Sequence, residues 1–156
     1  MTEPEKMMDE VEMTESEKYM TEALLEAEKA LAAGEVPIGA VMVRNGEIIA
    51  RGHNLRNTDK NPLRHAEIDV IDASAKIVGD WRLEDCVLYV TVEPCPMCAG
   101  ALGWSQISRL VFGANDEKRG YNLIAPNALH PKTTVTSGIM ADECAELMKR
   151  FFKERR

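Results

Sequence analysis

From Thr14 onward, stretches of helical and of strand periodicity follow one another along the chain. Met20, Ala23, Leu24, Ala27 and Leu31 recur at intervals of three and four up to Gly34, the stripe of an amphipathic helix. Thr14 followed by Glu17 is a capping-box pattern at its start. Ile38 to Val43, Asn45-Gly46 and Glu47 to Ala50 read as two strands joined by a tight turn, because Asn and Gly both tolerate the positive φ such a turn needs. Arg51 to Leu63, with Asn54, Asn57, Asp59, Asn61 and Pro62, is polar and predicts a loop. A helix follows from about His65 to Ile77, with Ile68, Ile71 and Ala75 on one face. Cys86 to Val92 is a nearly unbroken apolar, β-rich run, the pattern of a central strand covered on both faces. It hands over to a helix starting near Pro94. Arg109 to Phe112 and Thr133 to Thr136 are short strands, and Ala141 to Lys153 is a helix with Cys144, Leu147, Met148 and Phe151 on one face.

The order is helix, strand, strand, helix, strand, helix, strand, strand, helix, with no internal repeat. It predicts an α/β fold, a three-layer α/β/α sandwich around a mixed sheet of about five strands. At 156 residues the chain is expected to form one domain and to bury about 70% of its unfolded surface without disulfides or metal staples. No apolar stretch approaches membrane length, and the acidic N-terminus lacks a basic, apolar signal pattern. Cys86 and Cys144 lie in apolar surroundings, where buried free thiols are expected rather than a disulfide. A reducing cytoplasm is the expected compartment.

The net charge of −7 argues against a nucleic-acid partner until its distribution is considered. Residues 1–17 hold seven acids and one base, which leaves 18 bases against 19 acids in the rest. Residues 1–16 are accordingly read as an acidic, disordered tail and 17–156 as the folded domain. The C-terminus, with Lys149, Arg150, Lys153, Arg155 and Arg156, is either a local basic face or a solvated helix end whose cations complement the dipole.

The chemistry lies in two short motifs, His65-Ala66-Glu67 and Pro94-Cys95-Pro96-Met97-Cys98. Alone, the first is a weak signal, and the second also fits a redox dithiol or half of a structural zinc site. Together they offer three ligands, His65, Cys95 and Cys98, and a carboxylate, Glu67, that need not be one. A structural zinc site closes its fourth position with another Cys or His, whereas a catalytic one leaves it to water. The spacing also constrains the geometry. Two residues along a helix turn by about 200°, so His65 and Glu67 reach one ion only if the helix axis points at it. The ion is therefore expected off the N-termini of two helices, where unpaired N–H groups favour thiolates. Two thiolates cancel the charge of Zn²⁺ and weaken its effect on bound water, so a neighbouring base is needed. Glu67 suits that role, accepting a proton from water and passing it to a ring nitrogen and a departing amine.

His-x-Glu followed by Pro-Cys-x-x-Cys is the known signature of zinc nucleobase deaminases. With Glu35-Val36-Pro37-Ile38-Gly39-Ala40-Val41, Gly52-His53-Asn54, Leu88-Tyr89-Val90-Thr91-Val92-Glu93-Pro94, Val111-Phe112-Gly113-Ala114 and Ala141-Asp142-Glu143-Cys144-Ala145, the chain resembles the cytidine-deaminase-like superfamily. Within it, residues 17–156 most resemble bacterial tRNA adenosine deaminases, which make inosine at the wobble position. That resemblance implies one Zn²⁺ per subunit, a homodimer, and the tRNA anticodon loop as partner. It implies that Asn54 hydrogen-bonds the target nucleotide, that Val36 lines the base pocket, and that backbone atoms of Ala66 and Pro94 touch the base or its amine. It also raises Lys118 and Arg119, and Lys149, Arg150 and Phe152 at the C-terminus, to candidate RNA contacts. Arg64 stands where bacterial members commonly have alanine and is a further candidate for a phosphate. Pro96 and Trp104 also occur in deaminases of free bases, so deamination of a free base such as guanine is the alternative. A catalytically inert RNA-binding subunit is the reading against which Glu67 weighs.

Overall fold

The computed structural model describes residues 13–155, and the elements run α1 (Glu15–Ala32), β1 (Gly39–Arg44), β2 (Glu47–His53), α2 (Ala66–Val78), β3 (Cys86–Val92), α3 (Pro96–Ser105), β4 (Arg109–Ala114), α4 (Tyr121–Ile124), β5 (Thr134–Thr136) and α5 (Ala141–Glu154). The strands form a single sheet in the order β2-β1-β3-β4-β5. It is mixed: β1 pairs antiparallel with β2 and β3, while β3, β4 and β5 run parallel.

Strand alternation sorts the core into two layers. Ala40, Met42, Leu88, Val90, Leu110 and Phe112 face the layer of α2 and α3, packing with Ala66, Val70, Ala99 and Leu102. Val41, Val43, Tyr89 and Val111 point the other way, onto Tyr19, Met20 and Ala23 of α1 and Cys144 of α5. The expected three-layer α/β/α sandwich is therefore the observed one. Thr14 caps α1 with a reciprocal bond to Glu17. The β1–β2 turn has positive φ at both Asn45 and Gly46, as a primed turn requires. Cys86 and Cys144 are buried free thiols.

Several expectations are corrected. The strand expected to stop at Ala50 runs on to His53, because Arg51 and His53 turn onto α1 and pair with Glu26 there. The polar loop is shorter by those residues. The helix expected near Pro94 starts at Pro96, with Cys95 as its cap, and the proline occupies the first turn, where its missing N–H costs nothing. The buried face of α2 is formed by Ala66, Glu67, Val70 and Ser74; of Ile68, Ile71 and Ala75, all only half buried, Ile71 packs against the core at the margin of that face. A one-turn helix, α4, lies between β4 and β5, where none was expected. Of the acidic tail read over 1–16, residues 1–12 lie outside the described residues, and α1 already begins at Glu15.

Candidate metal and catalytic site

The two motifs meet where β3 ends and α2 and α3 begin. His65 and Cys95 are the N-cap residues of α2 and α3, both in extended conformation (φ −82°, ψ 148° and φ −73°, ψ 170°). Neither side chain caps its own helix, so both turn to a common point, and Cys98 joins them from the first turn of α3. His65 Nδ1 is 3.8 Å from Cys95 Sγ and 3.5 Å from Cys98 Sγ. Tetrahedral zinc bonds of roughly 2.0–2.3 Å place ligand atoms about 3.4–3.8 Å apart, so the triangle fits the ion. Among the described residues, this is the group of His, Cys, Asp or Glu whose donor atoms converge closely enough to hold one. The helix N-termini aim their N–H groups at it, as the spacing required.

The thiols show the same bias in the chain itself. Cys98 donates a hydrogen bond to Cys95, and with His65 nearby this brings the Cys95 thiol down to about 4. Holding the shared proton and burial push Cys98 up. A divalent cation replaces that proton and keeps both sulfurs as thiolates.

Glu67 sits in the first turn of α2, only 3% exposed. Its Oε1 is buried with no hydrogen-bond partner. A buried, unpartnered carboxylate oxygen is costly, and here it lies beside the ligand triangle without belonging to it. Burial pushes the carboxyl up to about 7, and the nearby Cys95 thiolate adds to the shift.

Asn54 is also buried (2% exposed). Its Oδ1 accepts the Ala66 N–H at 2.8 Å, which fixes the orientation of the amide and leaves its Nδ2 as the donor end. The Ala66 N–H is therefore already engaged, while the Pro94 carbonyl accepts Tyr121 N–H at 3.0 Å and retains one lone pair. Val36 is half buried in the α1–β1 connection, where its carbonyl accepts from Ile38 N–H at 2.8 Å.

The cationic candidates do not form one cluster. Arg64 precedes the metal histidine, but Asp69 (2.9 Å) and Asp59 (3.5 Å) hold its guanidinium, so contact with a phosphate requires an exchange of partners. Lys118 and Arg119 are exposed in the turn after β4. Lys149, Arg150 and Phe152 are exposed on α5, in the layer across the sheet from α2 and α3. The C-terminal end of α5 nevertheless reaches the α1–β1 connection, because Arg155 donates to the Gly34 carbonyl and stacks over Phe151 at 4.4 Å.

Two acids that sequence reasoning left without a role complete the surroundings. Glu35 is 1% exposed and accepts from Asn57 N–H (3.2 Å), Thr58 N–H (2.6 Å) and Thr58 Oγ1 (2.7 Å). Glu93, 6% exposed, accepts from Asp116 N–H and Asn122 N–H, both at 3.1 Å. The available signal was an acid flanked by apolar residues immediately before a motif, as in Val92-Glu93-Pro94 and Glu35-Val36-Pro37.

Comparison with known proteins agrees with this geometry. The family model of the MafB19-like deaminases matches residues 14–156. The chain is 51% identical over 149 residues to the tRNA-specific adenosine deaminase of Bacillus subtilis (strain 168), covering 92% of each chain. Among solved structures, one from a study of A-to-I editing by tRNA:A34 deaminases at the wobble position of transfer RNA superposes with a TM-score of 0.78. It is 40% identical, covering 83% of this chain and 98% of that one. The guanine deaminase from Nitrosomonas europaea superposes with a TM-score of 0.74 at 25% identity, covering 86% and 83%.

Proposed function

The chain belongs to the MafB19-like deaminase family, and from that premise we propose that, like its tRNA-specific adenosine deaminase relatives, it converts adenosine to inosine by hydrolysis at the wobble position of tRNA. The observation that carries the reading is the unpartnered Oε1 of Glu67, buried beside three convergent zinc-type ligands.

His65, Cys95 and Cys98 would hold one Zn²⁺ per subunit. When bound, the ion would supply Lewis acidity that acidifies a water molecule. Glu67 moves the protons. It accepts one from the attacking water, delivers it to N1 as the water oxygen bonds to C6, and later assists the second transfer to N6. The C6–N6 bond then breaks, ammonia leaves, and the carbonyl of inosine remains. Burial raises the proton affinity of Glu67 above that of an ordinary carboxylate, which suits a group that must both take and give a proton. Asn54 holds the base through its free Nδ2, with Val36 as one wall of its pocket and the backbone at Ala66 and Pro94 against the base or its amine. An anticodon loop already presents its bases partly unstacked, so extruding one into this buried site costs less than in a duplex.

The RNA backbone is gripped by Lys118 and Arg119 beside the site and by Lys149, Arg150 and Phe152 along α5, with Arg64 a further contact once it leaves its aspartates. The working form is a homodimer in the cytoplasm. No helix among the described residues is long and apolar enough to cross a membrane. Residues 17–156 form the deaminase domain, and the acidic segment 1–16 lies outside it.

The test is to incubate the purified zinc protein with an anticodon stem-loop carrying wobble adenosine and, separately, with free guanine, cytosine and adenosine. Products are quantified by mass spectrometry against Glu67→Ala. Inosine in the RNA alone is expected, and it should vanish in the variant while zinc content is retained. Product from a free base alone would replace tRNA editing with nucleobase salvage.

A further inference from the structure

Glu93 lies at the junction between the metal motif and the turn that carries Lys118 and Arg119. It is the last residue before Pro94-Cys95, it is 6% exposed, and its own N–H donates to Ala114 O at 2.8 Å. Its two carboxylate oxygens are divided between the ends of the next loop. Oε1 accepts Asp116 N–H and Oε2 accepts Asn122 N–H, each at 3.1 Å. One residue on, Pro94 O takes Tyr121 N–H at 3.0 Å. Within the loop, Asp116 Oδ1 accepts both Lys118 N–H and Arg119 N–H at 3.0 Å, and Gly120 N–H closes the turn onto Asp116 O at 3.0 Å. Gly120 packs directly on the Glu93 carboxylate, so that a Cβ there would collide with it. The loop is thus fastened at both ends to one buried side chain, and its free middle presents two exposed cations.

We propose that Glu93 is a positioning residue that sets Lys118 and Arg119 against the RNA backbone at a fixed distance from the zinc site, so that the phosphates flanking the extruded adenosine are held while its base is in the pocket. The inference rests on the tRNA-editing reading and deepens it. A carboxylate fits this task because it accepts at two oxygens and donates at none, so it can satisfy two loop N–H groups that otherwise would be buried or wet. The direction of the coupling is also set. Cys95 is placed by β3 and by the N-terminus of α3, whereas the 116–122 loop has no strand or long helix of its own and takes its position from Glu93.

Glu93→Gln keeps the size but turns one acceptor into a donor facing an N–H. KM for the anticodon stem-loop should rise about tenfold, while kcat at saturation and zinc content stay within about twofold of the parent. Because phosphate contacts release counterions, the slope of log KM against log salt should also become shallower, by about 1.4 for the loss of two cations on a single strand. A residue that merely supported the fold would not change that slope. Amide exchange at Asp116 and Asn122 should accelerate. Lys118→Ala combined with Arg119→Ala should give the same KM and slope, and adding Glu93→Gln to that pair should cost nothing further. Should Glu93→Gln fail to fold, Gly120→Ala displaces the carboxylate from the loop side and is read by the same outcomes.

If the paired alanines weaken RNA binding and Glu93→Gln does not, the positioning role is wrong while the RNA contact stands. If Glu93→Gln instead loses zinc or kcat at unchanged slope, Glu93 serves Cys95 and the proposal is overturned. If the paired alanines have no effect, the loop is not an RNA contact and the proposal falls with it. If no RNA is edited by the parent protein, the tRNA reading itself is what has failed.

Discussion

Asn54 carries two separable duties in one amide. Its Oδ1 satisfies the buried Ala66 N–H at the first turn of α2, and its Nδ2 is the group that the proposed mechanism assigns to substrate. Asn54→Asp retains the acceptor and removes the donor. The variant should therefore unfold within a few degrees of the parent while deamination falls about a hundredfold, the typical cost of one lost donor at a reacting centre. Asn54→Ala removes both, and the orphaned Ala66 N–H should add about 1–3 kcal/mol of destabilisation in a urea titration. Cys95→Ala takes away one of only three ligands, and metal analysis should find the zinc gone. Normal zinc occupancy in that variant would overturn the ligand assignment. Both asparagine functions depend on a side chain whose residue type is unremarkable in a polar loop, which explains why only family resemblance singled it out in advance.

At the scale of elements, α1 is joined to β2 by a charge cluster. Glu26 is 3% exposed and meets Lys29 Nζ at 2.8 Å, His53 Nδ1 at 3.1 Å and Arg51 Nη1 at 3.3 Å. Burial alone would raise its pKa, but the hydrogen bonds from Lys29 and His53 and the charges of Lys29 and Arg51 outweigh it, so the carboxyl titrates below its usual 4.5. A depressed folded-state pKa stabilises the protein above the unfolded value, and that contribution disappears as pH falls through the folded one. Glu26→Gln should therefore cost about 1.5–3 kcal/mol at pH 7, the range for hydrogen bonds to a charged group. The gap between variant and parent should close as the pH drops below 4, and a gap unchanged down to pH 3 would refute the ionised cluster. Between the two elements the cluster joins residues 25 to 29 positions apart, so no window of helical or strand periodicity reveals it. The same reason underlies the misreading of α2. Ile68, Ile71 and Ala75 form an apolar stripe, yet the buried face is the one built from Ala66, Glu67, Val70 and Ser74, and Ile71 meets the core only at its margin.

The misplaced stripe matters for the whole molecule. On α3, in the same layer, Met97 and Trp104 are seven residues apart on one face and are 38% and 78% exposed. Half-buried Ile68 on α2 and open Met97 and Trp104 on α3 supply apolar surface on the helices that carry the two motifs. Such surface is suited to a second copy of the chain. Sedimentation should give twice the 17.4 kDa chain mass at micromolar concentration, and Trp104→Glu should shift it to monomer with zinc retained. A dimer undisturbed by that change would place the interface elsewhere. The cations divide in the same way at this scale: Lys118 and Arg119 lie in the loop fastened to Glu93 beside Pro94-Cys95, whereas the C-terminal end of α5 meets the α1–β1 connection through Arg155 and Gly34.

The chemistry was legible in the chain because it depends on short-range geometry. Cys95 and Cys98 are three residues apart and His65 and Glu67 two, and a helix turn converts those intervals into directions; the ligands do gather at the N-termini of two helices, as that argument expected. The sheet was legible for the same reason, since alternation along each strand sorts residues to one face or the other without reference to anything distant. Folding alone decided what depends on distant partners. The inward face of α2, the extension of β2 to His53, the pairing of Arg64 with Asp59 and Asp69, and the roles of Glu35 and Glu93 all arise where a residue meets another far along the chain. An acid beside a proline has the same letter code whether it lies in solvent or holds a loop by two backbone N–H groups. The three-dimensional packing assigns it one of those fates.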